Sequence, residues 1–128
     1  MVRVNDTRRL LVIDDNITFR EGLCEGLERR GYLTVAAADG LEALSRIISE
    51  PFDLLISDVN MPRLDGLALI EELQKLLASQ RPPCVLMTAK YDERLVSLAM
   101  ELQVSKVIAK PFRLGTMIEA VQEILVGR

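Results

Sequence analysis

The chain contains no histidine and no tryptophan, and only two cysteines among its 128 residues. Without histidine, neither Ser-His-Asp nor Cys-His catalysis can be assembled, and a typical protein zinc site loses a principal ligand. Cys24 and Cys84 are too few and too widely spaced for a metal motif. They read as small buried hydrophobes in a reducing compartment, not as a disulfide or a reactive thiol. No apolar run approaches the ~20 residues of a membrane helix. The first such run stops after four residues at Asp14, so it does not read as a secretory signal, and the expected location is the cytoplasm. Basic stripes are missing too: Arg8-Arg9 and Arg29-Arg30 are isolated pairs in a chain of net charge −3, so this chain alone is not expected to bind nucleic acid.

What is present is one domain's worth of chain. A hydrophobic content of 49% supports a core without help from disulfides or metal. A domain of this size buries roughly two-thirds of its unfolded surface. Apolar runs alternate with helical patterns from end to end. Strands are expected near 9–14, 33–37, 53–57, 83–88 and 105–109. Phe19, Leu23 and Leu27 recur every four residues and predict a helix over about 17–30, with Gly31 at its left-handed C-cap. Leu41, Leu44, Ile47 and Ile48 mark a second helix ending before Pro51. Asp65 caps a third, with an apolar stripe extending to Leu76-Leu77. Leu95, Leu98 and Leu102 mark the fourth, and Leu114 to Leu125 the fifth. Short, continuously apolar strands alternating with helices predict an α/β fold, a doubly wound parallel sheet with both faces covered. A single domain, residues 1–128, is expected, with no output domain in this chain.

In such sheets the ligand site lies beyond the carboxyl ends of the strands. Asp14-Asp15, Asp58, Thr88 and Lys110 follow the first, third, fourth and fifth strands and converge on that rim. Each alone has an ordinary reading as a turn former, helix cap or solvated charge. Together they form a costly cluster, because neighbouring carboxylates repel unless a cation intervenes. The all-oxygen donor set suits Mg²⁺. Lys110 and the Thr88 hydroxyl suit phosphoryl oxygens. Asp58 is then either a metal ligand only or a carboxylate nucleophile that forms an acyl phosphate.

Asp14-Asp15, the Asp58…Met61-Pro62…Asp65-Gly66 block, Thr88-Ala89 and Lys110-Pro111-Phe112 resemble, in order and spacing, the receiver domain of two-component response regulators. The resemblance covers essentially the whole chain. It implies a flavodoxin-like (βα)5 fold with strand order 2-1-3-4-5. It implies a signalling domain and not an enzyme, one that switches conformation when Asp58 takes a phosphoryl group in a Mg²⁺-dependent reaction. Asp15 would bind Mg²⁺ directly, Asp14 would help orient it, and Asp58 and the Asn60 backbone carbonyl would complete the protein ligands. Lys110 would pair with the phosphoryl group and with Asp58, and Thr88 would be the switch hydroxyl beside a small Ala89. Lys110-Pro111 would be cis. The implied partners are a sensor histidine kinase or histidine phosphotransfer protein upstream, and an effector protein or separate output domain downstream. A weak or phosphorylation-dependent homodimer is a further implied partner.

Two features depart from the family's pattern. Val107 stands where the family usually carries Tyr or Phe, so a ring flip there cannot be the readout. Gln103-Val104-Ser105-Lys106 replaces the commoner Gly-Ala-Asp-Asp, which removes a C-cap glycine and places a cation where acids often support dimerisation. Lys90 and Asn60 occupy positions that tune phosphoryl lifetime in the family. Two other readings differ in kind. An aspartyl phosphohydrolase of the haloacid-dehalogenase kind would need a second acid where Asn60 stands. A binding module that works without phosphate would have little use for so complete a cluster.

Overall fold

The computed structural model describes residues 7–126. Among them, strands Arg9–Ile13 (β1), Leu33–Ala37 (β2), Leu54–Asp58 (β3), Cys84–Thr88 (β4) and Lys106–Ala109 (β5) alternate with helices Ile17–Glu28 (α1), Gly40–Ser49 (α2), Gly66–Leu73 (α3), Glu93–Glu101 (α4) and Leu114–Val126 (α5). The strands pair in parallel in the order β2-β1-β3-β4-β5, as the resemblance implies. No described helix is long and apolar enough to cross a membrane.

Alternation along the strands divides the core into two layers. Leu10, Val12, Leu54, Ile56, Val85, Met87 and Ile108 pack with Leu23 and Leu27 of α1 and with Met117, Ile118 and Val121 of α5. Leu11, Ile13, Leu55 and Leu86 face the other way, against Ala43 and Ile47 of α2, Leu69 and Leu73 of α3, and Leu95 of α4. The central strands β1, β3 and β4 are buried on both faces as expected. The edge strands are not: Leu33 on β2 is 55% exposed, and Lys106 and Ala109 of β5 face solvent. Truncating a central residue such as Leu55 or Leu86 would cost about 2–5 kcal/mol.

The Asp and Asn residues that follow the strands fall into two groups. Asn16, Asp39, Asp65 and Asp92 cap α1 to α4, each side chain accepting a hydrogen bond from the backbone N–H three residues on. The predicted cap at Asp65 is among them. Asp14, Asp15 and Asp58 cap no helix. They sit at the ends of β1 and β3, the strands that flank the point where the strand order reverses.

Several boundaries differ from expectation. The first strand stops at Ile13, although the Asp14 N–H still donates to the Ala37 carbonyl at 3.1 Å. Asp58 is the last residue of β3, one past the expected end, whereas β4 ends at Thr88 as its expected bounds have it. The third helix ends at Leu73, because Gln74, Lys75 and Leu76 turn back with N–H bonds three residues behind. Leu76 still packs on the α2/α3/α4 layer, while Leu77 is 70% exposed. Gly31 has φ +94° and ends α1 in a Schellman arrangement: its N–H donates to the Glu28 carbonyl and the Tyr32 N–H to that of Leu27.

Candidate functional site

Val12, Ile56 and Ile108 all belong to the layer facing α1 and α5. Two residues further along each chain come Asp14, Asp58 and Lys110, so strand periodicity carries all three onto that face at the carboxyl rim. The Lys110 ammonium lies 2.7 Å from Asp14 Oδ2 and 3.3 Å from Asp58 Oδ1. Carboxylate oxygens of Asp14, Asp15 and Asp58 all lie within 4.8 Å of one another. Asp14 is fully buried and Asp15 exposed, while the Asp58 side chain keeps 12% of its surface in contact with solvent. The cluster therefore has a closed back and one open side.

Local structure fixes each member. Asp14 Oδ1 accepts the Asn16 N–H at 2.9 Å, and the Asp14 carbonyl accepts Arg20 Nη1 at 2.7 Å. Asp58 is held by the turn after it. The Val59 N–H donates to the Met87 carbonyl, and the Gly66 N–H donates to the Val59 carbonyl at 2.8 Å. A Cβ on Gly66 would collide with the Asp58 carbonyl, so this position requires glycine. Asn60 lies two residues past Asp58 and is exposed. Lys110 precedes a cis bond to Pro111, as expected.

Burial pushes the Asp58 carboxyl above its ordinary pKa; the charge of Asp14 adds to that, and Lys110 opposes it. One lysine thus faces three acids within a few ångströms. The donor set is oxygen only, with one acid open to solvent and two enclosed. Such a set fits a hard divalent cation.

Sequence reasoning located Asp14, Asp15, Asp58 and Lys110, and the structure brings these four together. It places Lys110 closer to Asp14 than to Asp58, whereas the pairing with Asp58 was the one anticipated. Thr88 ends β4, the strand beside β3, and is buried. Its Oγ1 accepts the Lys90 N–H at 2.9 Å in a local turn. Val107 pairs with Leu86 in the opposite core layer.

Sequence reasoning missed two supports. Phe19, expected as plain core, places its ring 4.1 Å from the Lys110 ammonium. The Asp58–Gly66 turn is also tied to α2. Arg63 Nε donates to Asp39 Oδ2 at 2.7 Å, and the Gly40 N–H donates to the Leu64 carbonyl at 3.0 Å. Nothing in the spacing of Phe19, or of the residues in the turn, marked either contact out.

Fold and rim together define a class: doubly wound α/β domains with an acidic, lysine-bearing site at the switch point of the sheet. Within that class, the chain belongs to the response regulator receiver domain family, whose sequence model matches residues 10–122. It is 30% identical over 117 residues to a probable chemotaxis protein CheY of Rhizobium etli, covering 91% of each chain. It is 37% identical over 107 residues to the alkaline phosphatase synthesis transcriptional regulatory protein PhoP of Bacillus subtilis. That match covers 82% of this chain but 43% of the relative, so the chain spans less than half of that protein's length. A solved response regulator structure from Burkholderia pseudomallei, with a phosphorylated aspartic acid, a calcium ion and citrate, superposes with a TM-score of 0.80 at 28% identity. The match covers 94% of this chain and 69% of that one.

Proposed function

We propose that this chain is a single phosphoacceptor domain, cytoplasmic, in which Asp58 receives a phosphoryl group from a histidine kinase or histidine phosphotransfer protein. The observation that carries this is the placement of a nearly buried carboxylate 3.3 Å from a lysine and within 4.8 Å of two further acids, one of which, Asp15, opens the cluster to solvent. The phosphorylated aspartic acid and calcium ion of the Burkholderia pseudomallei structure support the same chemistry here.

An Asp58 carboxylate oxygen forms the new O–P bond as the P–N bond of the donor phosphohistidine breaks, and the released imidazole takes its proton from solvent. Asp14, Asp15, Asp58 and the Asn60 carbonyl would hold Mg²⁺, which neutralises charge on the transferring group when bound. Lys110 meets one phosphoryl oxygen. Thr88 gives up its local turn to donate its hydroxyl to another, and this biases two pre-existing conformations. The downstream partner is an effector protein or an output domain, with a weak or phosphorylation-dependent homodimer as one further outcome. Mass spectrometry after treatment with a small acyl phosphate and Mg²⁺ tests the reading. One phosphoryl group should add to wild type and none to Asp58→Asn; an equal gain in both would refute it.

A further inference from the structure

The Lys110 ammonium has three N–H bonds to place. Asp14 and Asp58 take two directions, at 2.7 and 3.3 Å. The third side is not open water. Phe19 projects from the first turn of α1, and its ring centroid lies 4.1 Å from Nζ, well inside the range of a cation–π contact. The lysine side chain is only 19% exposed, so the ring substitutes for part of its hydration shell. Phe112 fixes the plane of that ring. The two centroids are 5.8 Å apart and the planes cross at 89°, an edge-to-face pair. Phe112 is two residues past Lys110, so one short loop supplies both the cation and the ring that orients its aromatic partner.

We propose that Phe19 is a positioning residue for Lys110: its π face holds the ammonium between Asp14 and Asp58 and keeps it available to a phosphoryl group on Asp58. A lysine is a compact charge on a flexible stem. With carboxylates alone to choose between, the shorter contact to the fully buried Asp14 would draw it away from the acceptor. An aromatic face attracts the cation without demanding a single hydrogen-bond direction. Lys110 can therefore slide from Asp14 toward Asp58 without losing that partner. An aliphatic residue would fill the same space and offer no such attraction.

The inference rests on Lys110 being the group that meets the phosphoryl, and its test has one arm that does not depend on that reading. In unphosphorylated protein, NMR should show the Lys110 ε-methylene protons shifted upfield by the Phe19 ring, with the shift abolished in Phe19→Leu and kept in Phe19→Tyr. In the kinetic arm, the rate of Asp58 phosphorylation by a small acyl phosphate is measured at saturating Mg²⁺. Phe19→Leu should be roughly threefold to tenfold slower, and Phe19→Tyr should recover most of the rate. Difluoro- and trifluorophenylalanine at position 19 keep the ring's shape and drain its negative face, so they should lower the rate in that order. A flat fluorination series, or a Lys110 shift indifferent to loss of the ring, overturns the proposal. If wild type takes up no phosphoryl group at all, the function proposed above fails, and the ring-current shift still decides whether Phe19 holds Lys110.

Discussion

Asp58 combines an enclosed position with a need to be charged, and its neighbours settle how far each requirement is met. Burial and the adjacent Asp14 raise its pKa, while Lys110 at 3.3 Å pulls the other way. A second cation at the cluster relieves the repulsion that a single lysine leaves. Mg²⁺ should therefore stabilise the folded protein, by about 1.4 kcal/mol at ten times its dissociation constant. Asp15→Asn, at an exposed position, should remove most of that gain and leave the metal-free stability nearly unchanged. Thermal melts with and without Mg²⁺ check this; equal stabilisation of both proteins would place the ion elsewhere. Gly66 carries a different constraint. Its missing Cβ leaves room for the Asp58 carbonyl, so Gly66→Ala must push backbone against backbone. A loss of about 1–3 kcal/mol is expected in a urea titration. At this scale the charged residues were legible in the sequence, because charge at the end of an apolar run is conspicuous. Phe19 was not: an aromatic at helical spacing looks the same whether its ring meets leucine or an ammonium.

Among the elements, α4 shows where a departure from the family pattern is absorbed. The glycine expected at its C-terminus is replaced by Gln103, and the helix still closes as a Schellman motif. The Gln103 N–H donates to the Met100 carbonyl, and the Val104 N–H to that of Ala99 at 2.9 Å. Gln103 reaches this geometry with φ +62°, a left-handed conformation that costs a non-glycine residue roughly 1–2 kcal/mol. Glycine also loses more entropy on folding. Gln103→Gly should therefore stabilise by about 0.5–1 kcal/mol, a rise of several degrees in melting temperature. No rise would mean that the glutamine's own contacts offset the strain. The turn after β3 shows the opposite case, an anchor that spacing did not reveal. Arg63 also sits at positive φ, +68°, and reaches across to Asp39 at the N-terminus of α2. Element types and order followed from apolar periodicity and, for α3, from the cap at Asp65. The end of α3 did not, because Leu76 continues the stripe while the backbone has already turned.

Across the whole molecule, the shifted carboxyls divide by sign, and the division predicts the pH profile of stability. Asp39 is held below the ordinary range, first by the Glu42 N–H and then by Arg63; Glu50 is lowered by Arg46 and then Arg9. Their contribution is present above the unfolded values of about 4 and is lost as pH falls through the depressed folded ones. Asp58 works in the other direction. Below about pH 4 it is protonated in both states. As pH rises from there through its raised folded value, the unfolded chain releases the proton first, so stability is lost. The metal-free protein should therefore be most stable at mildly acidic pH and weaken toward neutrality. With no histidine in the chain, no imidazole adds a slope of its own above the carboxylate range. Urea midpoints from pH 3.5 to 8 should show that decline in wild type. It should flatten both with Mg²⁺ and in Asp58→Asn, while the loss at the acid end persists in all three. A metal-free wild type whose midpoint climbs steadily to pH 8, in parallel with Asp58→Asn, would show that Asp58 carries no strain at the rim.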